Sequence, residues 1–421
     1  MTDLPEGWEE KSIKEIFAFK YGKGLTQEKR SAGGGIAVYG SNGIVGDHDQ
    51  AITRGATIIV GRKGSVGEVH LSPEKCWPID TTYFIDEFPE GSPPKYWALL
   101  LKSLRLGQQD KSSAIPGISR EDIYKLTVPV PPIDEQSRIV AKLEHLLRKV
   151  DACQKRLAKI PAVLKRFRQS VLAAAFTGRL TEDWRSTNSG SSPWHAEVSE
   201  VDKDSLRELP ASWKWANLES VCEYIVDCPH STPVWTNAGF VCARTSNFKR
   251  GLLDLTDIRY VSEETYRNRT ERLIPVEGDV LYSREGAILG IACMVPCGIE
   301  LCMGQRMMLF RTNEEYLSTL LMHWLNSPQI LKRVRELNGG SASPHLNVRR
   351  IRAFPVPLPV RTEQEEIVRR VNALFKVADQ IEARRQRSQA HVHKLTQSIL
   401  AKAFRGDLVT TEAELAQSED A

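Results

Sequence analysis

Residues 128–136 read Val-Pro-Val-Pro-Pro-Ile-Asp-Glu-Gln, and residues 356–364 read Val-Pro-Leu-Pro-Val-Arg-Thr-Glu-Gln. The two copies extend in both directions. Residues 116–180 align with 344–408 without a gap, with roughly a third of positions identical. The pairs include Pro129/Pro357, Pro131/Pro359, Glu135/Glu363, Gln136/Gln364, Ile139/Ile367, Asp151/Asp379, Phe176/Phe404, Gly178/Gly406 and Leu180/Leu408. A gapless match of this length marks an internal duplication, and the duplication decides the architecture.

Each copy continues into a long helical pattern. Ile139, Leu143, Leu146, Val150, Cys153, Leu157, Ile160, Leu164, Phe167 and Val171 alternate steps of four and three, the roughly 3.5-residue period of a coiled-coil seam. The second copy runs through Ile367, Val371, Leu374, Ala378 and Ile381. It meets polar Arg385 and Ser388, then resumes at Val392, Leu395 and Ile399. The polar pair is expected to set register or direction at a cost in stability. Pro161 is expected to kink the first helix, and Gly178 and Gly406 stand where a left-handed C-cap belongs. Helices of this length exceed what a compact domain needs, so they read as spacers.

Upstream of each helix the pattern changes to short apolar runs cut by Gly, Pro and Asn, as in 56–60 and 279–282, which read as strands. A shorter helix is expected over 94–106, matched by one over 315–337. The opening Leu4-Pro5-Glu6-Gly7-Trp8 is echoed by Leu209-Pro210-Ala211-Ser212-Trp213, and Arg62-Lys63-Gly64 by Arg284-Glu285-Gly286. Trp8 and Trp213 read as core anchors. The expected fold is α+β: two mixed α/β domains, 1–132 and 209–358, separated by two long antiparallel coiled-coil helices, 133–182 and 359–410, in a pseudo-two-fold internal repeat. A linker is expected over 183–208, around Ser189-Gly190-Ser191-Ser192-Pro193, and a frayed acidic tail over 411–421.

Composition narrows the class. At 421 residues, with 41% hydrophobic and 26% charged residues, the chain reads as an ordinary multidomain globular protein. It contains no apolar run of the roughly 18–20 residues that a membrane span needs. Without a basic, apolar leader at Met1, and with eight scattered cysteines, a reducing cytoplasm is the expected compartment. A net charge of +4 is compatible with nucleic acid without requiring it. Enzyme signatures are missing: there is no phosphate loop, no Asp/Asn-Pro-Pro-aromatic methyltransferase motif, and Gly33-Gly34-Gly35 lacks dinucleotide spacing. Cys293, Cys297 and Cys302 lack the paired knuckle of a zinc ribbon and read as free thiols, and His391 and His393 lie on different helix faces. Neither cofactor nor metal is expected.

Taken in order, the proline-rich entry at 129–136, the long helix, Ala175-Phe176-Thr177-Gly178-Arg179-Leu180 and the second copy of all three resemble the specificity subunit of type I restriction–modification systems. The resemblance covers nearly the whole chain. It implies a non-catalytic DNA-recognition subunit in which each globular domain reads one half of a split, asymmetric site on double-stranded DNA. It also implies that the helices set the gap, and that two methyltransferase subunits dock on the chain and bring restriction subunits with them. The alternatives are a methyltransferase or nuclease with a fused recognition region, and a coiled-coil scaffold with no DNA role.

DNA-reading candidates are polar and basic residues in glycine-punctuated loops, since Arg and Asn suit guanine and adenine edges and Lys suits phosphate. In the first domain these are Ser41, Asn42, Arg62, Lys63 and Ser65. In the second they are His230, Ser231, Thr232, Arg244, Asn247, Lys249, Arg284, Gln305 and Arg306. Ordinary turns with solvated charges would look the same. Helix cations such as Arg138, Arg148, Arg369 and Arg384 suit DNA phosphates, solvated coiled-coil flanks or a docking surface equally well.

Overall fold

The computed structural model describes residues 4–109, 117–188, 208–338 and 344–419. It forms two compact units, one from 1–159 with 385–421 and the other from 160–384. Each is built on the same plan.

In the first unit the chain enters as a strand, Glu9–Ser12, paired antiparallel with Thr127–Val130. This pairing brings the opening of the domain back to the root of the long helix. A four-stranded antiparallel sheet follows in the order Lys20–Tyr21, Thr82–Ile85, Thr57–Gly61, Val69–Ser72. Its central strand, Thr57–Gly61, is buried along its whole length. Strand alternation explains how: Ile58 and Val60 join the core around Trp97 and Leu101 of the helix Pro94–Ser103, while Ile59 faces Tyr39 and Cys76. A smaller sheet, Gly43–His48, Ile36–Gly40 and Trp77–Pro78, closes that second side.

The second unit repeats the entry as Lys214–Asn217 paired with Pro355–Leu358. Its main sheet has six strands, in the order Cys222–Asp227, Met307–Thr312, Val280–Ser283, Ala292–Met294, Gly251–Leu253, Phe248–Lys249. Val280 and Tyr282 face one core, Leu281 the other. The helix expected over 315–337 is two helices, Ser318–Leu325 and Pro328–Asn338. The break falls at buried Asn326, which spends its side chain on both the N–H and the carbonyl of Ala292 (3.2 and 2.8 Å), just before Pro328.

The long helices, Ile133–Ala175 and Arg361–Ala403, have 43 residues each. They stop short of 182 and 410 because Gly178 (φ +74°) and Gly406 (φ +87°) turn the chain in the left-handed region. A Cβ on Gly178 would lie 2.2 Å from Pro210, and one on Gly406 would lie 2.3 Å from Pro5. The first helix runs through Pro161 on an exposed stretch instead of breaking there. In the first unit Ile139, Leu143 and Val150 share a core with Ile399, Leu400 and Ala403. In the second, Val171, Leu172 and Ala175 share one with Ile367 and Val371. Within the second unit the contacts run antiparallel, Arg168 reaching Asp379 and Asp183 reaching Arg370. The seam is tight at the helix ends and open further in, where Cys153, Ile381 and Leu395 are exposed.

Two sequence expectations are corrected at the helix ends. The segment Glu182–Thr187, at the start of the expected linker, is a helical turn held by Asp183–Arg370 (2.6 Å) and Arg185–Glu363 (2.5 Å). The rest of the linker, with Ser189-Gly190-Ser191-Ser192-Pro193, lies outside the described residues. The tail is likewise ordered over Glu412–Glu419 as a helix, fixed by Glu412–Arg138 (2.6 Å) and by the Thr411 N–H donating to Glu414 (2.9 Å). An acidic first turn suits a helix N-terminus, which is why an acidic end need not fray.

Candidate nucleic-acid interface

At the edge of each main sheet the central strand runs into a glycine-turned loop, and the two loops share one backbone pattern. In the first unit the Arg62 N–H donates to Thr81 O (2.9 Å), Ile118 N–H to Arg62 O (3.4 Å) and Gly67 N–H to Gly61 O (2.8 Å). In the second, the Arg284 N–H donates to Arg306 O (3.0 Å), Leu346 N–H to Arg284 O (2.9 Å) and Gly290 N–H to Ser283 O (2.8 Å). Isolated bridges match as well, Lys63 with Gly117 and Glu285 with His345. The edge strands correspond too: Gly22 N–H reaches Thr82 O (3.1 Å) as Cys228 N–H reaches Met307 O (3.1 Å), which sets Tyr21 against Asp227. The backbone corner is therefore one design used twice, and the side chains on it differ.

In the first corner Ser41, Arg62, Lys63 and Ser65 come together. A Cβ on Gly64 would stand 3.3 Å from Ser41 Oγ, and one on Gly61 would stand 2.1 Å from Ser65 O, so glycine is required for the loops to meet. Asn42 and Lys63 are exposed. The guanidinium of Arg62 lies 5.3 Å from the centre of the Tyr21 ring and 5.8 Å from that of Tyr83. Arg120 also stands over Tyr21, at 5.4 Å. Neither Tyr21 nor Arg120 was singled out by sequence reading, because nothing in their spacing ties residues 21, 62 and 120 together.

In the second corner His230, Ser231, Thr232, Gln305 and Arg306 gather on two adjacent loops. Gln305 Nε2 donates to the His230 carbonyl. Beneath them, buried Arg269 donates to the carbonyls of Met303 (2.7 Å), Gly304 (2.8 Å), Ser231 (3.1 Å) and Pro229 (3.2 Å). Four carbonyls satisfy this cation and stitch the loops together, and it too escaped the sequence reading. Arg306 is exposed and sits at φ +67°, a left-handed conformation that is uncommon outside glycine. Its side chain has no hydrogen-bond or ion-pair partner among the described residues.

Three candidates turn inward instead. Arg284 is 7% exposed and donates to both carboxylate oxygens of Asp227 (2.8 and 3.2 Å) and to Leu346 O (3.3 Å). Asn247 is 4% exposed, its amide committed to Asp254 O (3.1 Å), Asp257 O (2.8 Å) and the Arg244 N–H (3.0 Å). Arg244 is held by Asp257 (2.8 Å). These residues shape their loops: the Asn247 and Arg284 donors are spent within them, while Arg244 gives one terminal nitrogen to Asp257 and keeps an unpartnered buried Nε. Lys249 lies elsewhere, beside Lys165, Arg250 and Lys376 on a cleft of about 920 Å³ that also borders the long helices.

The anchor between each domain and its helix is the repeated Glu-Gln pair. Trp8 Nε1 donates to Glu135 (3.0 Å) and Trp213 Nε1 to Glu363 (2.8 Å). Gln136 and Gln364 donate back to Pro131 O (2.9 Å) and Pro359 O (3.0 Å). Both tryptophans are buried as core anchors, their N–H groups satisfied. No helix among the described residues is long and apolar enough to cross a membrane.

The sequence model of the type I restriction modification DNA specificity domain matches residues 5–162 and again 210–389. The chain is 30% identical over 345 residues to the EcoDI specificity subunit of Escherichia coli, covering 78% of this chain and 72% of that one. To the EcoBI specificity subunit of the same organism it is 33% identical over 308 residues, covering 70% and 61%. To the StySPI specificity subunit of Salmonella potsdam it is 29% identical over 321 residues, covering 75% and 65%. The chain thus spans less than two thirds of the last two. Among solved structures, a chain from a study of type I R-M complex assembly and conformational transition superposes with a TM-score of 0.70 at 18% identity, over 96% of this chain and 100% of that one. The HsdS subunit of Thermoanaerobacter tengcongensis superposes at 0.56 and 21%, over 96% and 98%.

Proposed function

The chain belongs to the type I restriction–modification DNA specificity family, and from that premise we propose that it is the non-catalytic subunit that chooses where such a complex acts. Each recognition domain, 1–132 and 209–358, reads one half of a bipartite site. The observation that carries this reading is the doubled corner: one backbone frame holds Tyr21, Lys63 and Thr81 in the first unit where it holds Asp227, Glu285 and Arg306 in the second. A shared frame with unlike side chains suits two readers of unlike half-sites, so the site is asymmetric.

The near-repeat of the helix ends offers two similar surfaces, one for each of two methyltransferase subunits, through which restriction subunits join. Methyl transfer and cleavage belong to those partners, and the complex works in the cytoplasm. The helices act as the ruler between half-sites. Within the first domain Ser41, Asn42, Arg62, Lys63 and Ser65 face DNA; within the second His230, Ser231, Thr232, Gln305 and Arg306 do. Lys249 contributes through the basic cleft.

The test is an exchange of residues 209–343 for those of a relative, followed by mapping of methylated motifs in cells that carry the modification subunits. One half-site should change and the half read by 1–115 should stay. If both halves change together, the two-reader assignment is wrong.

A further inference from the structure

Tyr21 is the most exposed aromatic of its corner, at 52%, and it is flanked by two cations without a strong anionic partner. Arg62 has no side-chain acceptor among the described residues. Arg120 has only the Phe19 carbonyl at 3.4 Å, with the Glu121 carboxylate at 3.8 Å. The Nε of each is shielded from solvent and unpartnered. Both side chains are only half-buried, so two guanidinium groups with almost no protein acceptors stand beside an exposed ring and concentrate hydrogen-bonding capacity at this corner. The matched position in the second unit shows the alternative. There Asp227 stands in place of Tyr21 and takes both carboxylate contacts from Arg284, which is thereby buried and neutralised. A tyrosine at this position holds the arginine by its ring face and leaves its donors unspent, whereas an aspartate uses them up.

We propose that Arg62 and Arg120, held over Tyr21, form the guanidinium pair through which the first recognition domain takes hold of its half of the DNA site. Tyr21 is the positioning residue that keeps both forks aimed outward. The inference rests on the reading of this chain as a DNA specificity subunit, and it assigns the first half-site to residues that lie far apart in the chain. It also assigns the two domains different chemistry at one position: the first reads through the corner arginine, the second through Arg306 and the loop around Ser231.

The experiment uses the full chain assembled with its modification subunits, and a duplex carrying the motif that the wild-type complex methylates. Arg120→Ala and Tyr21→Ala should each weaken binding to that duplex roughly ten- to a hundred-fold, the scale of a lost bidentate or charge-assisted contact. Any relaxation of the methylated motif should appear in the first half-site alone. Tyr21→Phe keeps the ring and should restore most of the binding that Tyr21→Ala loses. Tyr21→Asp copies the second unit's pairing and should abolish first-half discrimination while the complex still assembles. Wild-type binding by Arg120→Ala and Tyr21→Asp, with the first half-site intact, overturns the proposal and leaves the two-reader assignment standing. Failure of the wild-type complex to prefer its own motif overturns both. Circular dichroism and assembly with the modification subunits separate loss of contact from loss of fold.

Discussion

Glu135 and Glu363 occupy matched positions of the repeat, both are essentially buried, and both take an indole N–H from the tryptophan that opens their domain. Their second partners differ. Glu363 receives Arg185 at 2.5 Å and the Thr181 hydroxyl at 2.7 Å. Glu135 receives only the Glu412 N–H at 3.3 Å, and the nearby Arg138 goes to Glu412 instead. Burial therefore lifts the Glu135 carboxyl above its ordinary value, outweighing the hydrogen bonds from Glu412 and Trp8 that pull it down. The duplication kept the anchor and let its compensation drift. One unit holds its domain to its helix with a buried ion pair, the other with neutral donors.

That difference can be broken first where it is largest. Glu363→Ala should destabilise the second unit by about 3–5 kcal/mol, because Arg185 keeps its charge in a site that no longer answers it. Hydrogen exchange resolved along the chain should show the loss within 160–384. Protection lost equally in both units would refute the assignment.

Acid should act on two buried groups, one in each unit, in opposite directions. His323 is buried against Asn372 (3.2 Å), and burial pushes its pKa down to about 4. Because the folded state favours the neutral ring, its contribution is present above the unfolded pKa of about 6.5 and is lost as pH falls toward 4, on the order of 3 kcal/mol at most. Glu135 has the reverse sign: its raised folded pKa favours the protonated form, so the first unit is relieved as pH falls and penalised as it rises through that value. Exchange measured between pH 7 and pH 4 should find the second unit opening first, and His323→Phe should flatten its acid dependence.

The corner arginines give a smaller contrast. Asp227→Ala should cost about 2 kcal/mol, since it leaves Arg284 buried and short of a partner, whereas Tyr21→Ala should cost less because Arg62 is only half-buried. Chemical denaturation of the two variants side by side measures the gap. Smallest of all, Glu135→Gln should change stability at neutral pH by about 1 kcal/mol or less, removing the charge while keeping one acceptor for Trp8. Its diagnostic is the disappearance of the Glu135 pH slope. A large loss at neutral pH would mean that the carboxylate is held as tightly here as in the second unit.

The duplication, the two long helices, the glycines that end them and the tryptophan anchors were all legible in the linear sequence, because each depends on spacing along the chain. The heptad repeats every few residues, a left-handed cap needs a residue without a Cβ, and a duplicated gene leaves its copies in register. The Arg-x-Gly loops were legible as turns for the same reason. What only the tertiary structure decided is which of their side chains are spent. Arg62 and Arg284 are spelled alike, yet Asp227 arrives from 57 residues upstream to bury one, while Tyr21 and Arg120 leave the other open. Asn247 reads as an adenine partner until its own loop folds around it, and Arg269 carries no signature because its four carbonyl acceptors are gathered from two distant loops. A hydrogen-bond donor is free or committed according to what the fold brings within about 3 Å of it, and that distance is set by sheet order and loop closure, which local sequence does not encode.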